Sequence, residues 1–163
     1  MRYIHLWCIK IPNIKSIAMK HTLILASLLS ITIGVSAFNP AVNEKVLNSF
    51  KKTFSAAQEV KWDESKDHYT VCFKNYGIRT TVNYDRKGNM LSTIRYYQPE
   101  LLPINVLDKL TREYSNADLF GVTEIAVGNS VAYFVKIEGS KYWTTVKADS
   151  MGNTEVVEKY RKA

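Results

Sequence analysis

Apolar positions along the chain recur with two different periods. Val46, Leu47, Phe50, Phe54 and Ala57 follow at helical spacing, as do Val106, Leu107, Leu110, Tyr114 and Ala117. Each set predicts one amphipathic helix. Asn43 stands where the first helix needs an N-cap, and Pro103 can occupy the first turn of the second, where its missing N–H does no harm. After each helix the period falls to two. Tyr69 to Phe73, Ile78 to Tyr84 and Met90 to Tyr96 alternate, and so do Tyr133 to Ile137, Tyr142 to Ala148 and Thr154 to Tyr160. Their β-branched and aromatic content predicts strands. Short strands around Val60 to Trp62 and Val122 to Ile125 complete four per set.

The two sets align with each other. A shift of 60 residues brings Val46, Leu47, Phe50, Phe54, Ser55 and Ala57 onto Val106, Leu107, Leu110, Tyr114, Ser115 and Ala117 without gaps. A shift of 64 then gives 9 identities over the 28 positions from Tyr69 to Tyr96. Ordinary composition would give about 6%, so chance is a poor explanation. The change of shift puts a four-residue insertion between Ala117 and Tyr133, where Asp118 and Gly121 predict a longer loop. Residues 98–103, with Pro99 and Pro103, read as a connector. The expected architecture is an α+β fold made by tandem duplication. Each copy, 38–97 and 104–163, would be one helix packed on its own four-stranded antiparallel sheet.

The N-terminal region is of another kind. Thr22 to Val35 is an uncharged run of 14 residues, shorter than the ~20 a helix needs to cross a bilayer. Lys20 and His21 precede it, and Val35-Ser36-Ala37 offers the small residues that a signal peptidase accepts. Residues 1–37 therefore read as a signal peptide cleaved after Ala37, with Met19 as an alternative start. The mature protein is expected in the periplasm or outside the cell, with no stable membrane span. This changes the charge arithmetic. The chain carries 22 Lys and Arg against 15 Asp and Glu, but Arg2, Lys10, Lys15 and Lys20 lie in the leader, which has no acid. The remaining excess of three positive charges is interspersed with acids, which argues against a nucleic-acid partner.

Candidate reaction chemistry is sparse. Cys8 falls in the leader, leaving Cys72 without an intramolecular disulfide partner in an oxidising compartment. His68 is the sole histidine after the leader, and it precedes Cys72 by four residues on a predicted strand. Such side chains lie ~13 Å apart, too far for a nucleophile and its base. There is no histidine or cysteine cluster for a metal, no glycine-rich phosphate loop and no Gly-x-Ser-x-Gly elbow. No cofactor, metal or catalytic residue is expected, and the chain does not read as an enzyme. The most specific local motif is Asp85-Arg86-Lys87-Gly88-Asn89, repeated as Asp149-Ser150-Met151-Gly152-Asn153. Asp accepting backbone N–H groups, followed by Gly at positive φ, predicts a tight hairpin. One carboxylate and one Asn fall well short of the 6 to 8 oxygens a calcium ion takes.

These motifs, above all the run from Val82 to Leu91 and its weaker partner from Val146 to Asn153, resemble the PepSY-like, beta-lactamase-inhibitor-like family of exported bacterial proteins. The resemblance extends over Val46 to Tyr160. It implies a helix on a four-stranded antiparallel sheet, twice, and a non-enzymatic module of the cell envelope. No residues match an inhibitory loop, so inhibition of a beta-lactamase does not transfer. The second copy departs after its turn, where Thr154 and Glu155 replace Met90 and Leu91, and its last hairpin is expected to be less buried.

Strand parity locates a candidate working surface. Tyr69, Val71 and Phe73, with Tyr133, Val135 and Ile137, should face the helices. Thr70, Cys72, Lys74, Arg79, Thr81 and Asn83 should face away, as should Phe134, Lys136, Trp143, Thr145 and Lys147. Aromatics rimmed by polar groups have the composition of an interaction hot spot, which makes Phe134, Trp143, Lys136, Arg79 and Lys147 the candidate partner-binding residues. Packing of Phe134 and Trp143 against the other copy or a loop is an equal reading. Trp62 belongs with the core. The expected function is an exported, non-enzymatic module that holds a protein or peptide partner in the envelope. The alternative is a structural or self-associating envelope protein.

Overall fold

The structure, a computed structural model, describes residues 41–163. The expected signal peptide and its cleavage point lie outside the described residues. Helix α1 (Glu44–Thr53) is followed by strands β1 (Ala57–Glu64), β2 (His68–Asn75), β3 (Ile78–Asp85) and β4 (Met90–Tyr97). A 3-10 turn (Pro99–Leu101) then leads into helix α2 (Ile104–Glu113) and strands β5 (Asp118–Val127), β6 (Ser130–Glu138), β7 (Tyr142–Asp149) and β8 (Thr154–Arg161). No described helix is long and apolar enough to cross a membrane.

All eight strands form one antiparallel sheet in sequence order. This corrects the expectation of two four-stranded sheets, each with its own helix: the chain is mostly β, one sheet carrying two helices. The overturning contact is the β4–β5 ladder, which runs in register from Ser92 opposite Val127 to Tyr97 opposite Val122. The physical reason is that β4 and β5 would otherwise be edges with unpaired backbone groups, and pairing them satisfies both. The first strands are also longer than the short segments expected, and Asp118 and Gly121 lie within β5 instead of a loop.

Both helices pack on the same face of the sheet, because the register between bulges carries one parity from β2 to β7. Val46 and Phe50 of α1 meet Tyr69, Val71, Phe73, Val82 and Tyr84, with Trp62 packed against the cluster. Phe50 contacts Trp62 and Phe73 edge-on at 5.2 and 5.1 Å. Val106 and Leu110 of α2 meet Val122, Tyr133, Val135, Ile137, Val146 and Ala148. That second cluster reaches back across the sheet, burying Tyr97 of β4 and packing Ile78 of β3. Asn43 caps α1 by accepting the Lys45 N–H at 2.8 Å, and Pro103 stands at the residue before α2.

The repeated motif builds two tight hairpins. Asp85 accepts N–H groups from Lys87 and Asn89 at 2.8 and 2.9 Å, and Asp149 accepts from Met151 and Asn153 at 2.9 Å each. Gly88 and Gly152 take φ of +89° and +86°, as the turn requires. Each turn also meets the first turn of a helix. Gly88 approaches the Lys45 carbonyl of α1, and Asn105 of α2 donates to the Ser150 carbonyl at 3.1 Å.

Candidate functional site

The face away from the helices holds every one of the candidate binding residues. Arg79 lies on β3, Phe134 and Lys136 on β6, and Trp143 and Lys147 on β7. Sheet register places five strand positions of this face in one row: Arg79 opposite Tyr96, Tyr96 opposite Thr123, Thr123 opposite Phe134, and Phe134 opposite Lys147. Arg79 and Lys147 thus stand at the two ends of a row four strand spacings long, about 19 Å at the usual spacing. The Arg79 guanidinium lies over the Tyr96 ring, 4.4 Å from its centroid. Neither Arg79 nor Lys147 makes an ion pair with a described carboxylate, although Glu155 stands opposite Lys147 in register.

One row along, Lys136 is already engaged. Its ammonium lies 3.3 Å from Glu158, 3.2 Å from Thr145 Oγ1 and 4.3 Å from the Tyr160 ring centroid. Burial works against its charge, but the contacts with Tyr160 and Glu158 prevail and raise its pKa. The Thr145 hydroxyl, donating at 2.9 Å, and the Lys136 ammonium together lower the pKa of Glu158. Lys136 is thus ion-paired within the surface, unlike Arg79 and Lys147.

Trp143 and Phe134 are half-buried and belong to neither core cluster. Trp143 packs edge-on against Phe120 at 5.2 Å, and the Lys162 ammonium lies over the Trp143 ring, 5.2 Å from its centroid. Phe120 was missed because its segment was expected to be a loop, whereas it lies within β5. It is the extra residue of a bulge between Leu119 and Gly121, so the strand changes phase there, and a side chain that parity would turn to the helices lies 60% exposed beside Trp143. Tyr96 and Tyr160 were also missed, and both widen the aromatic surface.

Between these groups lies an open groove of about 480 Å³. Tyr96, Phe120, Gly121, Thr123, Phe134 and Lys136 are among the residues that line it. The other half of the face is different in character. Thr70 donates to Asn83 at 2.7 Å, Asn83 donates to Ser92 at 2.9 Å, and Cys72 Sγ lies 3.4 Å from Thr81 Oγ1, forming a closed polar ladder. Among the described residues no group of three or more His, Cys, Asp or Glu side chains is placed to hold a metal ion.

The fold has counterparts among solved structures. A BLIP-like protein from Bacteroides fragilis superposes with a TM-score of 0.57 at 20% identity, covering 73% of this chain and 85% of that one. A DUF2874 family protein from Bacteroides ovatus gives 0.57 at 16% identity over 75% and 89% of the two chains. A protein from Bacteroides eggerthii, provisionally described as periplasmic, gives 0.57 at 16% identity over 75% and 90%. No protein-family model and no curated protein matches the chain. The likeness is one of fold. It supports the beta-lactamase-inhibitor-like part of the resemblance drawn from the hairpin motifs, and it gives no support to the PepSY-like part.

Proposed function

We propose that this protein is an exported, non-enzymatic binding module of the periplasm, and that it holds a protein or peptide partner on the sheet face opposite its helices. The observation that carries the reading is the row of Arg79, Tyr96, Thr123, Phe134 and Lys147, flanked by the Phe120–Trp143 pair. Half-buried aromatics beside cations present a preformed contact surface of the composition that hot spots have. The provisionally periplasmic neighbour and the BLIP-like neighbour support the same compartment and the same class of role.

The test is chemical crosslinking of the mature protein in its native envelope, followed by recovery of the partner. Replacing Phe134 and Trp143 together by Ala should abolish recovery while leaving the circular dichroism spectrum unchanged. Undiminished recovery would place the partner on another face. A second reading, self-association, is favoured by one observation: through Tyr160 the aromatic surface reaches β8, an edge of the sheet with Val156 and Val157 exposed. Sedimentation equilibrium separates the two, since self-association requires a mass that rises with concentration.

A further inference from the structure

Gly121 has no conformational reason to be glycine. Its φ lies outside the left-handed region, and a Cβ built on it meets no atom within 4 Å. A glycine inside a strand weakens it, and it marks a bulge, such as the one between Leu119 and Gly121, or a place where another chain or a ligand comes close. Gly121 pairs with Lys136 on the face away from the helices, so the space its missing side chain leaves opens directly into the groove. The walls there are the rings of Phe120, Tyr96 and Phe134. On this face, outside the groove, Arg79 and Lys147 make no ion pair with a described carboxylate, and they stand at the ends of the row that runs past it.

Resting on the function proposed above, we infer that Gly121 keeps open a slot for one large apolar side chain of an acidic protein segment, and that Arg79 and Lys147 receive carboxylates on either side of that side chain. The dimensions agree. The two cations stand about 19 Å apart across four strand spacings. A segment in the polyproline II conformation, with three residues per turn and about 3.1 Å per residue, places acids six residues apart about 19 Å from each other and turns the residue midway between them to the same side. Lys136 takes no carboxylate from the partner because Glu158 already occupies it. The charges select the segment, and the slot supplies the desolvated anchor.

The probe is a dye-labelled, end-capped peptide of sequence Glu-Ser-Ser-Trp-Ser-Ser-Glu, compared by fluorescence anisotropy with versions carrying Lys in place of both Glu, or Ala in place of Trp. The mature wild-type protein should bind the acidic Trp peptide at least tenfold more tightly than either control. Gly121→Val should weaken that binding at least tenfold with unchanged circular dichroism, and Gly121→Ala, which fills less of the slot, should fall between. Arg79→Glu with Lys147→Glu should reverse the preference toward the Lys peptide. Equal binding of the acidic and basic peptides, no binding of any peptide, or a folded Gly121→Val protein that binds like wild type would each overturn the inference. The reading it rests on is tested apart from it. If Phe134→Ala with Trp143→Ala loses the envelope partner while Gly121→Val keeps it, the binding face stands and the slot falls; if neither change affects recovery, both fall.

Discussion

At the scale of single residues, the two hairpin turns share a mechanism and differ in one contact. Positive φ strains any L side chain at Gly88 or Gly152, so alanine at either costs about 1 kcal/mol. A Cβ on Gly88 would also stand 2.9 Å from the Lys45 carbonyl oxygen, whereas on Gly152 its nearest neighbour is a side-chain atom of Asn105 at 3.8 Å. Gly88→Ala is therefore expected to lower the urea midpoint more than Gly152→Ala. The aspartates predict a pH effect. Hydrogen bonds from Asn89 to Asp85 and from Asn153 to Asp149 hold both carboxyls below their ordinary pKa of 3.8. A depressed carboxylate stabilises the fold above its unfolded pKa, and that contribution is lost as pH falls through the folded value. Urea midpoints measured from pH 6 to pH 2.5 should decline below about pH 4, and Asp85→Asn with Asp149→Asn should flatten that decline. These turns were legible because Asp and Gly act on their own backbone neighbours. Phe120 was not, because Asp118 and Gly121 read as a loop, whereas the residue lies within β5 at a bulge that also shifts the strand's parity.

At the scale of elements, the decisive junction is between β4 and β5. Tyr97 donates to Glu124 across it at 2.6 Å, and Arg95 reaches the same carboxylate at 3.1 Å. Burial, then the Glu124 contact, raises the Tyr97 phenol above its ordinary pKa of 10.0. Tyr97→Phe removes a hydrogen bond to a charged group from a residue only 8% exposed, and it should cost about 1.5–3 kcal/mol in denaturant unfolding. The individual helices and most strands could be read from periodicity, since each is an amphipathic segment with one buried face. The β4–β5 pairing could not be, because alternation states which way a side chain points and is silent on which strand lies next door. For the same reason β8 differs from β4: both follow the same turn motif, but β4 has neighbours on both sides and β8 is an edge.

At the scale of the molecule, one sheet ties together two helix-packed clusters. Phe50→Ala empties the centre of the first cluster and should cost about 3–5 kcal/mol. Ile78 carries the second cluster into β3, a strand that the first helix also covers, and Tyr97 carries it into the adjacent β4. The loss is therefore expected in a single transition. Calorimetric and van't Hoff enthalpies should agree for the variant, as two-state unfolding requires. Two separate transitions, with only the first lowered, would mean that the halves unfold independently. The binding surface belongs to this scale as well. Arg79 and Lys147 lie 68 positions apart in the chain and meet in one row because five strands, from β3 to β7, hold register.

The amino-acid sequence by itself determined the helices, the alternating strands, the Asp-x-x-Gly turns and the side chains that turn away from the core, because each depends on residues within a few positions of one another. The tertiary structure decided that the strands join into one sheet, that Lys136 is neutralised by Glu158, and that Phe120 and Gly121 frame a groove beside Phe134. Those features depend on which strands become neighbours and on a bulge that shifts phase, and backbone hydrogen bonding between distant segments settles both.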